Sequence, residues 1–166
     1  MEFFSSLINI VGRLIGGLGM SFLIFVLTLV FSLPLGLLIA FGRMAKNKLL
    51  SGIMRIYISI MRGTPLMLQL MVIFFGPHYL FKIPLTASYR YVAVIIGFSL
   101  NYAAYFAEIY RAGIESIPLG QYEAAEVLGY SKPQTFFKII LPQVIKRVLP
   151  PVTNETITLV KDTSLA

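Results

Sequence analysis

The chain has 166 residues, 57% of them hydrophobic and only 13% charged, with 14 Lys and Arg against 7 Asp and Glu for a net charge of +7. An ordinary soluble domain carries about 25% charged residues and a disordered chain lacks this hydrophobicity, so both are excluded and a polytopic, all-α membrane protein remains. The absence of cysteine removes disulfides, thiolate chemistry and Cys-based metal sites, the single His78 cannot build a metal site alone, and no aromatic-interleaved basic run points to a nucleic acid.

The N-terminus is a poor signal peptide, because Glu2 stands where positive charge belongs and no A-x-A site follows the first apolar run. Phe3, Phe4, Leu7, Ile8, Val11, Leu14 and Ile15 have helical spacing. They predict an amphipathic helix over 1–16 lying at the membrane interface.

Charge-free windows then locate the spans. Residues 14–42, 63–81 and 91–107 carry no Asp, Glu, Lys or Arg. A hydrocarbon core about 30 Å thick needs about 20 helical residues, so spans are expected over 18–42, 64–81 and 91–110. Pro34 and Pro65 do not veto them, since neighbouring helices re-satisfy freed carbonyls and Pro65 falls in a first turn. His78 sits at an apolar segment end and reads as interfacial.

Segment 43–62 carries Arg43, Lys46, Lys48, Arg55 and Arg62, and segment 111–147 carries Arg111, Lys132, Lys138, Lys146 and Arg147. The other side has only Arg13, Lys82 and Arg90. The bias places both loops in the cytoplasm and the N-terminus outside.

The segment 111–147 predicts two short helices with a sharp corner. The first covers about Leu119 to Leu128, Gly129 supplies a left-handed end, and Ser131 to Gln134 forms a capping box with Pro133 in the first turn. Pro142 is expected to bend or end the second helix. Ala124 and Ala125 are expected to present a flat surface that another protein approaches closely. Pro150 and Pro151 then open a helix from about Val152, too short before Ala166 to cross. That leaves either a re-entrant element or an incomplete fourth span over 152–166, and the latter is expected.

Glu123, Ala124, Ala125, Gly129, Ile139, Leu141 and Pro142 together fill the pattern E-A-A-x3-G-x9-I-x-L-P. At these residues the chain resembles the membrane subunits of ATP-binding cassette importers, whose cytoplasmic loop carries that pattern. Arg62-Gly-Thr-Pro-Leu, Arg111-Ala-Gly, Ser116-Ile-Pro, Leu149-Pro-Pro and Lys161-Asp-Thr-Ser-Leu narrow the resemblance to the polar amino acid permeases of that family, from about Tyr57 onward. Such permeases typically have five spans, so the expected chain of three full spans plus a fourth that breaks off looks truncated.

The resemblance implies a permease subunit in a bacterial inner membrane. The seven loop residues would dock on a partner ATPase. A second permease subunit, identical or not, and an extracytoplasmic amino acid-binding protein complete the set, embedded in the lipid bilayer. No G-x-x-x-x-G-K-[ST] is present, so the chain is not expected to be an enzyme or to bind a cofactor itself. ATP and Mg belong to the partner.

Substrate contacts are expected from polar groups at membrane depth. Asn101 lies inside the third span. Glu155, Thr158 and Asp162 share one face of the last helix at i, i+3, i+7, with Asn154 beside them. An acid inside a span is a functional candidate because its burial is costly unless it is paired or hydrated. The resemblance supports Asn101, Asn154 and Glu155 as cavity residues; the plain alternatives are a helix-packing hydrogen bond for Asn101 and a pair between Lys161 and an acid for the last helix. Lys161 and Asp162 read as structural or gating. Glu155 tilts the substrate towards a basic amino acid. Glu108, Arg111 and Glu115 either stiffen a lever or form an ordinary solvated face. An ion-coupled secondary transporter is the competing class; it would show an inverted repeat, and none is visible.

Overall fold

The computed structural model describes residues 2–163, all of whose regular elements are helices. They are α1 (Glu2–Arg43), α2 (Lys48–Gly63), α3 (Leu66–Phe81), α4 (Ala87–Glu115), α5 (Leu119–Val127), α6 (Lys132–Gln134), a π-helical stretch Thr135–Ile140, and α7 (Leu141–Asp162).

Helix α1 runs unbroken, so the expected interfacial helix over 1–16 and the span over 18–42 are one element. Gly16 and Gly17 could form a turn, but in lipid every backbone group must be satisfied internally, and the helix continues through them. Ile15 and Leu18 are exposed, as lipid-facing residues should be. The side chains of Phe3, Phe4, Leu7 and Ile8 lie outside the described residues.

Helix α4 is the axis of the molecule. Phe25, Leu29 and Leu33 pack with Phe98, Tyr102 and Phe106, and Ile39 and Ala40 pack with Ala103, Ala104 and Ala107. The matched order means that α1 and α4 run parallel, so their C-terminal ends, Arg43 and Glu115, lie at the same end of the bundle. Gly36 allows the close approach: a Cβ there would sit 2.8 Å from Phe106 Cβ and 3.0 Å from the Ala103 carbonyl oxygen. Small residues at such crossings let backbones meet where lipid supplies no hydrophobic drive.

Segment 48–62, expected as a loop, is instead helical and packed. Its Ile58 is buried beside Met54, Tyr57 and Met61, and Tyr57 Oη donates to the Leu100 carbonyl at 2.6 Å. Helices α2 and α3 meet at 109°. The cause is local: Thr64 is extended (φ −118°, ψ 147°), the conformation favoured before a proline. Helix α3 has 16 residues, about 24 Å at 1.5 Å per residue, short of the 30 Å or so of hydrocarbon. The expected span 64–81 is therefore the second half of a broken pair. Among the described residues, two helices, α1 and α4, are long and apolar enough to cross a membrane, or three spans if the bent pair counts as one.

The last helix also differs from expectation. It begins at Leu141, passes through Pro150 and Pro151 and reaches Asp162 over 22 residues. The carbonyls those prolines leave unpaired belong to Lys146 and Arg147, both exposed, so solvent can satisfy them. Upstream, Pro142 sits in the first turn of α7, directly after the widened π-helical stretch, where its missing N–H does little harm. Charge, not length, keeps α7 from resembling a lipid-facing span. Ser164 and Leu165 of the last motif lie outside the described residues.

Candidate functional site

Asn101, Glu155 and Thr158 come together. With Thr64, Leu66, Tyr102, Tyr105 and Asp162 they line a cavity of about 190 Å³ where α4 and α7 meet the α2–α3 break. Among the described residues, two carboxylates and no cation line it. Tyr102 Oη donates to Asp162 Oδ2 at 2.6 Å and ties α4 to α7, so Asp162 is both wall and clamp. The Thr158 hydroxyl donates to the Asn154 carbonyl at 3.1 Å, which leaves its lone pairs available. Asn154 does not line the cavity; its side chain is exposed elsewhere on α7.

Asn101 is engaged. Its amide donates to the Met61 carbonyl at 3.0 Å and to Gln69 Oε1 at 2.9 Å. Gln69 Nε2 in turn reaches the carbonyls of Met61 and Thr64 and the Thr64 hydroxyl. The pair pins the α2–α3 break, and only the Asn101 Oδ1 remains to meet a ligand.

A second cavity, about 440 Å³, continues along α4 towards the loop end and shares Tyr105 and Glu155 with the first. Arg62, Glu108 and Arg147 line it. The Arg62 guanidinium lies 5.1 Å from the centroid of the Tyr105 ring, a cation–π contact at the shared wall. The two spaces thus change from acidic to mixed charge along one path. Arg62, Thr64, Tyr102, Tyr105 and Gln69 were not singled out individually from the sequence. Tyr102 and Tyr105 flank the Asn101 face, and Arg62 and Thr64 belong to the motif before Pro65.

The loop corner forms as its residues dictate. Gly129 takes φ +77°, and Tyr130 N–H reaches the Ala125 carbonyl at 3.0 Å while Gly129 N–H reaches Glu126 at 2.9 Å. This is the Schellman closure of a helix. Ser131 N–H donates to Gln134 Oε1 at 3.0 Å, one half of the expected capping box. Ile139 packs on a buried cluster of Ile117, Ile140 and Val144, Leu141 is half-buried, and Pro142 is exposed.

Glu123 and Ala124 are exposed, but Ala125 is 1% exposed and faces the interior of the loop. The outward apolar surface belongs instead to Val127 and Leu128, at 88% and 72% exposure. Arg111 bridges Glu108 at 2.6 Å and Glu115 at 2.5 Å. Glu115 is half exposed, so its pair is worth a few tenths of a kcal/mol, whereas Arg111 grips the partly buried Glu108 carboxylate through both Nε and Nη2. Arg147 donates to the Ser116 carbonyl and joins the end of α4 to α7.

The chain is similar to known proteins over most of its length. A family model described as "Binding-protein-dependent transport system inner membrane component" matches residues 32–166. The L-cystine transport system permease protein TcyB of Bacillus subtilis is 40% identical over 151 residues, covering 91% of this chain and 63% of that one. The arginine transport system permease protein ArtQ of the same organism is 35% identical over 162 residues, 98% of this chain and 73% of that one.

The crystal structure of an amino acid ABC transporter with histidines superposes with a TM-score of 0.86 at 34% identity, over 98% of this chain and 74% of that chain. The inward-facing MetNI methionine ABC transporter, at 22% identity and TM-score 0.62, shares the fold over 90% of this chain and 68% of that chain. The chain spans 63% of the length of TcyB and of the putative glutamine permease GlnP of Rickettsia bellii, which is 43% identical over 84% of this chain. With most of its length matched by the family model and by these relatives, the chain belongs to the family of binding-protein-dependent transport system inner membrane components.

Proposed function

We propose that the chain is the membrane-spanning permease subunit of an ATP-driven importer of polar amino acids, with a tilt towards basic ones. The observation that carries this is the small cavity walled by Asn101, Thr158, Glu155 and Asp162, with no cation lining it among the described residues. Carboxylates there suit a substrate ammonium or guanidinium, and Arg62 at the shared wall suits a substrate carboxylate. The relatives' names, cystine, glutamine and arginine transport, support the substrate class and do not single out one member.

In this reading ATP and Mg reside on a separate ATPase. The surface around Glu123, Ala124, Val127 and Leu128 docks on it, with Gly129, Ile139, Leu141 and Pro142 shaping the corner. A second permease subunit closes the path, and an extracytoplasmic binding protein delivers the substrate. The N-terminus lies outside a bacterial cell membrane. The parallel course of α1 and α4 supports the loops after both helices lying together in the cytoplasm. ATP and substrate then bias one two-state element, which is what coupling requires.

The test is uptake of radiolabelled arginine, glutamine and cystine into proteoliposomes holding the chain, with its natural flanking sequence, together with its ATPase and binding protein. Glu155→Gln should lower arginine uptake at least tenfold while the ATPase stays bound. Uptake that proceeds without ATP, or that ignores Glu155→Gln, would overturn the proposal.

A further inference from the structure

At the turn between α1 and α2 lies a separate cavity of about 570 Å³, lined by Lys46, Lys48 and Arg55 together with Ser51, Gly52 and Ile56. Among the described residues no ion pair or hydrogen bond engages these three cationic side chains. Glu108 and Glu115, near the C-terminal end of α4, are held by Arg111. The turn itself is braced. Ser51 Oγ donates to the Arg43 carbonyl at 2.7 Å and accepts from the Arg43 guanidinium at 3.2 Å, and the Asn47 side chain caps α2 through Leu49 and Leu50 N–H. The cations therefore stand on a fixed frame.

Beside them runs an apolar row: Leu49, Ile53 and Ile56 are 73%, 51% and 61% exposed. Their spacing of four and seven residues puts them on one face of α2. A free soluble anion gains nothing from that row, whereas acyl chains do. Unpaired cations at the end of an apolar span, next to exposed Leu and Ile, match an anionic phospholipid: phosphate on the charges, chains along the row.

We propose that the α1–α2 turn is a binding site for an anionic phospholipid headgroup, with Lys46, Lys48 and Arg55 on the phosphate and Leu49, Ile53 and Ile56 along the acyl chains. The site is independent of the substrate cavity, and its failure leaves the transport proposal intact.

The test is native mass spectrometry of the full chain in detergent, titrated with phosphatidylglycerol, with phosphatidylcholine, and with glycerol phosphate as the soluble headgroup. Phosphatidylglycerol should be retained in preference, and each of Lys46→Gln, Lys48→Gln and Arg55→Gln should weaken it about fivefold, the equivalent of about 1 kcal/mol per cation near a surface. Lys132→Gln/Lys138→Gln in the loop after α5 should change nothing, and three independent single variants keep the test open if one fails to fold. Equal retention of phosphatidylcholine, or indifference to all three substitutions, overturns the site. Competition by glycerol phosphate as strong as by the lipid would make it a soluble-anion site and overturn the lipid assignment.

Discussion

Removing the amide of Asn101 separates its two roles, pinning the helix break and facing the cavity. Asn101→Leu deletes the bonds to Met61 O and Gln69 Oε1. The Met61 carbonyl still accepts from Gln69 Nε2 at 2.9 Å, so it is not orphaned and the full penalty for a buried unpaired acceptor does not arise. Side-chain hydrogen bonds inside membranes average about 0.6 kcal/mol and reach about 1.7, so two lost bonds predict about 1 kcal/mol. Gln69→Leu should destabilise more, since it loses three donor contacts as well as the acceptor.

The pair shares one bond, so the double variant should show a coupling of about 0.6 kcal/mol. The assay is reversible SDS-titrated unfolding of the purified chain, followed by far-UV circular dichroism, over the four-member cycle. Strict additivity of the two single effects would refute the pinning role of this pair.

Gly36→Ala should destabilise the α1–α4 packing by about 1–3 kcal/mol, because the new methyl meets backbone that cannot move aside. Gly19→Ala, on the same helix with open space around it, should be neutral or better in the same unfolding assay. At the loop corner, Gly129→Val places a β-branched residue at φ +77° and should cost about 1–2 kcal/mol, read as faster amide exchange over residues 119–134; Gly120→Val should not reproduce it. Asp162→Asn should leave the Tyr102 tie in place but weaken it, slowing arginine uptake less than Glu155→Gln does.

The all-helical class, the limits of α5, the left-handed Gly129 and the Ser131 cap were legible because each rests on chemistry within a few residues. What was not legible depends on distant partners. Segment 48–62 is rich in Lys and Arg, yet its Ile58, Tyr57 and Met61 face α4, and only that contact makes it a packed helix. Pro142, Pro150 and Pro151 signal a break locally, but a π-helical stretch before Pro142 and the exposed positions Lys146 and Arg147 one turn before the proline pair let the helix continue. Ala125 was expected outside; the packing of α5 on the π-helical stretch turns it inward and leaves Val127 and Leu128 as the outer surface. Within the candidate site, the spacing of Glu155, Thr158 and Asp162 put them on one helix face, but Asp162 was read as structural or gating and Asn154 as a wall, whereas Asp162 lines the cavity and Asn154 does not. The engagement of Asn101 by Gln69 depends on the 109° break and was not foreseeable.

The most direct test of the central claim is co-purification of the chain, with its natural flanking sequence, with its candidate P-loop ATPase, wild type beside Gly129→Trp and Leu128→Glu. The wild-type chain should hold the ATPase through purification, and both variants, one at the corner and one on the exposed surface, should release it while keeping their helical content. An ATPase that never binds the wild-type chain, or that binds all three equally, would contradict an ATP-coupled role for this loop.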